Sequence, residues 1–406
     1  MIDFKVLKPM HILWLPSWFP TSAHPLNGIF FKEQLKALSN HGLKIRMIYP
    51  DLRRLREFNG INLIDNHFQK SFCREDALEM VFFHGWNLYP KQIKKQKEAF
   101  IKASFSLFQS YIKKFGKPDL IHAQSAFWGA FAAKSLSDAY SIPFIITEHL
   151  GEFLKGIALS PIDTCWTTPI LKEVFEKSSK ILSVSNAISA VLKKHYLPNQ
   201  DHKFDIMPNC VDTDFFKQRK EKPKDNFHWI SVSHLTQDKN LSFLLKSFSQ
   251  VVKTSPKTCL SIYGDGPLRK QLQSEIQSLN LTGHVRLCGQ ATREGVREAL
   301  SKSHAFVLPS LAESFGVAYI EALATGLPVV ATLKGGPKDF VTKANGYLVN
   351  PEKKEELIHA MIDCQKNIDF FDQEAIEQEA KQRFGVQTFV NRHLNLYENL
   401  LTKSPS

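Results

Sequence analysis

Two carboxylates stand on either side of a largely apolar segment. Glu313 and Glu321 enclose seven residues whose polar side-chain groups are one serine hydroxyl and one tyrosine hydroxyl. A carboxylate beside a buried segment is costly unless it is paired or hydrogen-bonded. The spacing therefore indicates a polar ligand that is rich in hydrogen-bond donors. The alternative is an ordinary helix in which Glu321 lies on a hydrated face.

A lysine and a glycine occupy positions that suit a phosphate group. Lys239, followed by Asn240, comes directly before an amphipathic helical pattern. A cation is unfavourable there unless an anion lies between it and the helix N-terminus, and the alternative is a solvated loop lysine. Gly28 begins another helical pattern, and because it lacks a Cβ it lets backbone N–H groups approach a pyrophosphate.

The stretch "YGDGPLRKQL" at 263–272 is a weak nucleotide fingerprint. It has two glycines after a predicted strand but no third glycine in dinucleotide spacing. Pro267 favours a turn that begins a helix. The stretch therefore does not predict a nicotinamide site.

The segments that must position these side chains alternate between strand-like and helix-like patterns, which predicts an α/β protein with parallel sheets. Two successive series indicate two doubly wound domains, 1–207 and 227–384, whose ligands bind outside the carboxyl ends of the strands. The polar, proline-punctuated segment 208–226 is the predicted linker, and helix 385–402 is expected to complete the first domain. The first predicted helix is 28–42, and the predicted strands are 11–16, 43–50, 119–124, 143–149 and 180–185, then 227–235, 257–266, 284–289, 304–310 and 327–332.

Length and composition agree with two soluble domains. A chain of 406 residues, 43% hydrophobic and 23% charged, exceeds one ordinary core, and no stretch approaches the ~18 apolar residues that span a bilayer. The N-terminal segment carries Asp3 and is interrupted by Pro16 and Pro20, so we expect a cytoplasmic protein without a signal peptide. The six scattered cysteines predict reduced side chains rather than disulfides or a zinc site.

The positive charge is concentrated in the first half. Residues 1–200 hold 26 Lys+Arg against 16 Asp+Glu, a surplus of +10, and the remainder adds only +2 of the total +12. The basic segments are 51–58 and 91–117. In 91–117 apolar residues recur at helical spacing, which fits either a core-facing helix with a solvated back or a surface for anionic lipid. Nucleic acid is not expected, because no recognition motif accompanies the charge. The recurring apolar residues are Ile101, Phe105, Phe108, Ile112 and Phe115.

The order of the motifs resembles the family 4 retaining glycosyltransferases of the GT-B fold, which use nucleotide-activated sugars. In the second half the resemblance rests on "SVSHLTQDKN", "YGDGPL", "HVRLCG", "ESFGVAYIEALATGLPVVAT" and "GGPKDFV". In the first half it rests on "LPSWFPTSAHPLNGIFFKEQ", "DLIHAQ", "ITEH" and "MPNCVDTDFF". These motifs cover nearly the whole chain, so the resemblance implies two Rossmann-like domains that face each other across a cleft.

The resemblance also implies roles for the residues that bind the donor. Glu321 would accept hydrogen bonds from the ribose hydroxyls, since a carboxylate can take both donors of a vicinal diol. Glu313 would contact the transferred sugar, and Lys239 would neutralise the leaving diphosphate. The remaining expected donor contacts are Ser314, Phe315 and Gly316 at the diphosphate, with Gly28, Asn240, Gly264 and Gly289.

Three positions depart from the family pattern. His234 stands where an arginine is usual, and a histidine lacks the bidentate fork and is mostly uncharged at neutral pH. Gln124 stands two residues beyond His122, where a second histidine is frequent, and Asp339 replaces a glutamate. We therefore expect His234 to stabilise the leaving diphosphate less than an arginine would. The expected acceptor-side residues are His122, Gln124, Glu148 and His149.

The resemblance implies an enzyme without a metal or cofactor. Its expected catalytic residues are Glu313, Lys239, His149 and His234, its donor a UDP- or GDP-sugar, and its acceptor a glycan or a lipid-linked sugar at the inner face of the cell membrane. Two other classes stay open, a nucleotide-sugar epimerase of the same fold and a non-catalytic sugar-nucleotide-binding subunit. A phosphorylase is disfavoured, because no motif for a pyridoxal-phosphate lysine is found.

Overall fold

Two β-sheets organise the protein. The computed structural model describes residues 10–22, 24–25, 27–55, 67–155, 167–217, 222–223 and 225–402. Within these ranges one sheet has eight strands and the other has six, and helices alternate with the strands along the chain. This arrangement confirms the predicted α/β class with two Rossmann-like sheets. Residues 1–9, Cys165 and the linker positions 218–221 and 224 lie outside the described residues.

The first sheet is parallel except at one edge. Its strands are β1 His11–Pro16, β2 Lys44–Arg54, β3 Gln69–Glu75, β4 Leu78–Asn87, β5 Leu120–Gln124, β6 Phe144–Glu148, β7 Lys180–Ser183 and β8 Phe204–Ile206. They are ordered β3-β4-β2-β1-β5-β6-β7-β8, and β3 alone runs antiparallel to its neighbour. The helices of this part are α1 Ile29–Asn40, α2 Ile93–Phe115, α3 Phe131–Tyr140, α4 Thr167–Lys177 and α5 Asn186–His195.

The core of the first sheet lies along its central strands. Every residue of β1, β5 and β6 is buried, as expected for parallel strands with both faces covered. Helix α2 packs Leu107, Phe108 and Tyr111 into this core, whereas Lys94 and Lys95 are exposed on its other side. In the part of the chain that the structure describes, no helix is long and apolar enough to cross a bilayer.

The edge hairpin of the first sheet was not predicted. Most residues of β3 are exposed, so the strand carries no apolar alternation that a sequence pattern could reveal. Strand β2 also runs to Arg54 rather than ending at residue 50, because it pairs with β4 from Arg46–Glu79 to Arg54–Asn87. The short strand β8 was missed as well.

The second sheet is entirely parallel. Its strands are β9 Phe227–Val232, β10 Thr258–Tyr263, β11 Val285–Gly289, β12 Ala305–Leu308, β13 Val329–Thr332 and β14 Gly346–Val349, in the order β11-β10-β9-β12-β13-β14. All but β14 were predicted. The helices from the linker onward are α6 Thr213–Phe216, α7 Leu241–Thr254, α8 Arg269–Ser278, α9 Arg293–Ser301, α10 Val317–Ala324, α11 Lys354–Lys366, α12 Gln373–Phe384 and α13 Val386–Thr402.

The chain returns to the first sheet at its C-terminal end. Val211 and Gly385 form an isolated parallel bridge at the crossing between the two halves. Helix α13 then contacts α1, and the Tyr397 hydroxyl lies 2.7 Å from Nδ1 of His122 on β5. The loops at the carboxyl ends of both sheets thereby face one cleft.

Candidate active site

An ion pair joins the ends of two central strands of the second sheet. Lys239 ends a short turn after β9, and Glu313 follows β12. The Lys239 Nζ lies 2.8 Å from Oε2 of Glu313 and 3.8 Å from Oδ2 of Asp238. Burial alone would lower the pKa of Lys239, but the two carboxylates outweigh it and the pKa is raised. The lysine is therefore a fixed cation at neutral pH.

Backbone hydrogen bonds hold the loop of Glu313 in place. The Glu313 N–H donates to the Lys334 carbonyl at 3.1 Å, and the Gly336 N–H donates to the Glu313 carbonyl at 2.7 Å. The Leu311 N–H donates to the Asp238 carbonyl at 2.8 Å, which ties this loop to that of Lys239. The loops after β9, β12 and β13 therefore form one rigid platform.

Helix α10 begins next to this platform. Gly316 precedes its first residue with φ = 97°, and a Cβ there would lie 2.5 Å from the ring of Tyr319, so only glycine fits. The Phe315 ring is buried against Phe340 and Phe384, which leaves the backbone as the part of Phe315 that can meet a ligand. The first N–H groups of a helix have no intrahelical acceptors, so they can bind an anion.

Glu321 lies one helical turn further along α10, between two charges from other elements. Burial raises the pKa of Glu321 to about 8; the carboxylate of Glu33 raises it as well and Arg293 opposes both. Arg293 begins α9 and its Nη1 lies 3.3 Å from Oε1 of Glu33 on α1, so this ion pair crosses the cleft between the sheets. The Arg293 guanidinium also lies 4.5 Å from the centre of the Phe215 ring.

Arg293 and Glu33 were not predicted as site residues. A signal for Arg293 exists, because it is a cation at the first position of a helix, the same feature that drew attention to Lys239. The sequence around Glu33 contains no comparable signal, because a polar residue is expected on the solvent face of an amphipathic helix such as α1.

His149 and Gln124 come together at the carboxyl ends of β6 and β5. The His149 Nε2 lies 2.9 Å from Oε1 of Gln124, and the ring is packed edge-on against Phe31. Burial lowers the pKa of His149 to about 3, so the ring is neutral at physiological pH. The Gln124 Nε2 is buried and has no hydrogen-bond partner within the described residues. Such a donor needs an acceptor from a ligand or a water molecule.

His122 lies in the core, which corrects the expectation that it faces the acceptor. It is fully buried, and its two ring nitrogens lie 2.7 Å from Tyr397 Oη and 2.7 Å from Thr147 Oγ1. Both nitrogens are therefore occupied, and the ring joins β5, β6 and α13.

Glu148 is also a positioning group rather than an acceptor contact. Its carboxylate is fully buried and accepts hydrogen bonds from the Ser125 hydroxyl at 2.5 Å and from the backbone N–H groups of Ala126, His149 and Leu150, each at 2.8 Å. Burial raises the pKa of Glu148, and these four donors oppose that change. The side chain fixes the loops that carry Gln124 and His149.

The remaining predicted donor residues take different positions. Gly28 begins α1 with φ = 73°, and a Cβ there would lie 2.7 Å from the Trp18 ring. The Gly264 N–H donates to the Gly289 carbonyl at 2.8 Å and joins the ends of β10 and β11. The Asn240 side chain donates to the Pro351 carbonyl at 3.0 Å and so supports the loop after β14, and its contact with the donor stays a prediction.

A pocket of about 570 Å³ opens between the two sheets beside these residues. His234 is exposed on its wall together with Gln290 from the loop after β11. The other wall comes from the loop after β1 and the end of β2. In the described ranges no group of three or more His, Cys, Asp or Glu side chains is arranged to hold a metal ion.

Two family profiles match the chain in succession. "Glycosyltransferase Family 4" matches residues 28–215, and "Glycosyl transferases group 1" matches residues 212–383. A curated relative, the "Putative teichuronic acid biosynthesis glycosyltransferase TuaC" of Bacillus subtilis (strain 168), is 26% identical over 364 residues, which are 87% of this chain and 88% of that protein.

Solved structures show the same fold. Sucrose-phosphate synthase from Thermosynechococcus elongatus superposes with a TM-score of 0.79 at 17% identity, covering 97% of this chain and 100% of that one. Anabaena Alr3699/HepE in complex with UDP superposes with a TM-score of 0.70 at 18% identity, covering 96% and 100%. The two facing sheets therefore have the GT-B fold. The chain belongs to the family 4, group 1 glycosyltransferases, and it is a transferase of sugar groups, as predicted.

The environment of Glu321 predicts how stability depends on pH. The pKa of Glu321 is about 8 in the folded protein and 4.5 in the unfolded chain. The protonated carboxyl therefore contributes its full stabilisation below pH 4.5, and this contribution is lost as pH rises through 8. Glu321→Gln should therefore remove a decline in unfolding free energy on the order of 4 kcal/mol between pH 5 and pH 9. Urea unfolding at both pH values measures this, with Glu355→Gln, an exposed glutamate on α11, as the control. Equal declines in wild type and Glu321→Gln would contradict the assignment.

Proposed function

We propose that the protein is a retaining glycosyltransferase that moves a hexose or N-acetylhexosamine from a nucleoside-diphosphate sugar to a glycan or lipid-linked acceptor, in the synthesis of cell-surface polysaccharides or glycoconjugates. The observation that carries the proposal is the Lys239–Glu313 ion pair, set beside the start of α10 with Glu321 on the same helix. One cation and two carboxylates match one diphosphate and two sets of sugar hydroxyls. The relative named for teichuronic acid biosynthesis and the UDP complex of a solved neighbour support this choice.

The diphosphate of the donor is proposed to bind where Lys239 meets the start of α10. An incoming diphosphate competes with Glu313 for the lysine, and the helix N-terminus adds free N–H groups and a positive dipole end. His234, exposed in the pocket on the same sheet, donates one further hydrogen bond. These protein groups neutralise the negative charge of the diphosphate, so the proposed site uses no metal or cofactor.

The two glutamates are proposed to bind the two sugars of the donor, one each. Burial raises the pKa of Glu321 to about 8, so the carboxyl is largely protonated before ligand arrives. When the ribose diol binds, its two hydroxyl donors stabilise the carboxylate, which releases the proton to solvent and accepts both hydrogen bonds. Glu313 is free to turn toward the hydroxyls of the transferred sugar once the diphosphate has taken its place beside Lys239.

The proposed reaction proceeds on one face of the transferred sugar. The bond between the anomeric carbon and the β-phosphate oxygen breaks, and the acceptor hydroxyl forms its bond to the same face through an oxocarbenium-like state. The proton of that hydroxyl passes to the departing phosphate oxygen, so no enzymic nucleophile is needed. Lys239 stabilises the charge that develops on the phosphate. The neutral His149 and the unpaired amide of Gln124 orient sugar hydroxyls.

The enzyme is proposed to work at the cytoplasmic face of an anionic membrane. The first half of the chain holds +10 of the +12 formal charges. On α2 the apolar side packs into the core, which leaves the exposed Lys94 and Lys95, and Lys91 just before the helix, directed toward solvent. Basic residues near an anionic surface contribute about 1 kcal/mol each and are screened by salt.

The separate roles of the glutamates give a first test. Glu321→Ala should weaken nucleoside-diphosphate binding by about tenfold or more, because a charge-assisted acceptor for two hydroxyls is lost. Glu313→Ala should leave that affinity undiminished and lower kcat. Calorimetry with UDP and GDP, and release of nucleoside diphosphate from a panel of UDP- and GDP-sugars, measure the two effects, with Glu355→Ala as the control. Unchanged nucleotide affinity in Glu321→Ala would remove the ribose role.

The membrane assignment has a separate test. Co-sedimentation with vesicles should require anionic lipid, decline steeply with salt and weaken when Lys91, Lys94, Lys95 and Lys97 become glutamine. Glutamine at Lys253 and Lys257, which are exposed on the second domain, is the control. Equal binding to neutral and anionic vesicles, or none at low salt, would exclude the membrane surface and leave the transferase activity in place.

A further inference from the structure

The turn that follows β10 uses its two glycines for close packing. A Cβ on Gly264 would lie 1.8 Å from the Ser233 carbonyl oxygen. A Cβ on Gly266 would lie 2.7 Å from the Leu235 carbonyl oxygen. The Leu235 N–H also donates to the Asp265 carbonyl at 3.0 Å. The turn therefore packs directly on the loop after β9, and this packing fixes the point at which helix α8 begins.

The first residue of α8 is Arg269, and its guanidinium reaches the end of the neighbouring strand β11. Its Nη1 and Nη2 lie 3.6 Å and 3.9 Å from the position that a Cβ on Gly289 would occupy. Gly289 has φ = 79°, a backbone conformation that favours glycine. No side chain at this position therefore comes between the guanidinium and a ligand that lies on the end of β11.

The Arg269 guanidinium has no partner in the part of the chain that the structure describes. Its Nη1 is buried and donates no hydrogen bond there, and no described carboxylate forms an ion pair with it. The nearby Asp265 carboxylate instead accepts from the Gly266 N–H at 2.8 Å. A buried donor without an acceptor is costly, so the acceptor for Arg269 has to come from outside the chain.

The end of β11 lies where the proposed donor would place its base. In the second sheet β11 is two strands away from β9, and the turn after β9 carries Lys239. Neighbouring strands are about 4.8 Å apart, so the two strand ends are separated by about 10 Å, the scale of a nucleoside. The loop after β11 leads directly to Arg293, whose charge reaches Glu321, the proposed acceptor for the ribose. A base joined to that ribose therefore lies near Gly289 and Arg269.

A guanidinium discriminates between bases because all its polar atoms are donors. Uracil O4 and guanine O6 are acceptors, whereas the amino groups of cytosine and adenine at the corresponding ring positions are donors. An oxo base therefore supplies the acceptor that Arg269 lacks. An amino base would bring a second donor to the buried Nη1 and leave both groups without a partner.

We propose that Arg269 determines the base specificity of the enzyme by donating a hydrogen bond to the carbonyl oxygen of an oxo base, uracil O4 or guanine O6, that lies beside Gly289. The inference rests on the proposed transferase function and specifies its donor class. Cytidine and adenosine nucleotides are disfavoured by the same contact. Guanine uses both arms of the guanidinium, because its N7 is a second acceptor next to O6, whereas uracil uses one.

Calorimetric titration of UDP, CDP, GDP and ADP into the full-length protein tests the assignment. UDP and CDP compare an oxo with an amino group on the smaller ring, and GDP and ADP do so on the larger ring. Wild type should prefer the oxo member by about tenfold or more in the pair whose ring size fits the site. Arg269→Met should reduce this preference to nearly equal binding. Because both members of a pair carry the same diphosphate, their affinity ratio is insensitive to the charge that the substitution removes.

Further variants keep the outcomes distinct. Lys270→Met removes the same charge from the exposed neighbouring residue and should keep the wild-type preference. Arg269→Gln offers a donor and an acceptor, so it should bind oxo and amino members about equally. Arg269→Lys keeps one cationic donor, which is sufficient for uracil but not for the two acceptors of guanine.

Two results would overturn the inference alone. One is a wild-type preference in a folded Arg269→Met or Arg269→Gln variant. The other is nucleotide binding by wild type without preference for the oxo member of either pair. Absence of binding of all four nucleotides would contradict the proposed function together with this inference, so the two failures are distinguishable.

Discussion

The ion pair between Lys239 and Glu313 is the interaction on which the rest of the site depends. Its members are only 19% and 13% exposed, so removing one leaves a poorly hydrated charge of the other sign. The loops that carry them are joined by the Leu311–Asp238 hydrogen bond and by the Glu313–Gly335 bridge. A ligand can separate the pair only if it supplies an anion for the lysine and donors for the carboxylate. A nucleotide sugar supplies both in one molecule.

A second constraint is the polar core beneath the opposite wall of the cleft. His122 and Glu148 are fully buried, and their hydrogen bonds join β5, β6 and α13. This network holds the loops that carry Gln124 and His149 in position. The C-terminal helix therefore contributes to the first domain through Tyr397, and the Glu33–Arg293 pair adds a direct electrostatic link across the cleft.

The sequence predicted the fold well because parallel strands covered on both faces are continuous apolar runs, and nearly all of those runs proved to be strands. It missed β3 because an exposed edge strand has no such run. Glu313 and Lys239 were singled out by charge beside apolar or helical segments, yet no pattern indicated that they bind each other across 74 positions. His122 was misplaced because a single sequence does not distinguish a histidine that is hydrogen-bonded in the core from one that faces a ligand. The Arg293 link depends on tertiary proximity between α9 and α1, which no local pattern contains.

The central claim is that Lys239 is occupied by Glu313 until a diphosphate replaces it. Calorimetric titration of UDP or GDP, whichever the wild type binds, into wild type and Glu313→Gln tests this most directly. If the claim holds, the variant binds the nucleotide more tightly, by on the order of 1 kcal/mol. Binding then no longer breaks the ion pair of Lys239, and the repulsion between the Glu313 carboxylate and the phosphate is removed. Equal or weaker binding by a folded Glu313→Gln variant would contradict it.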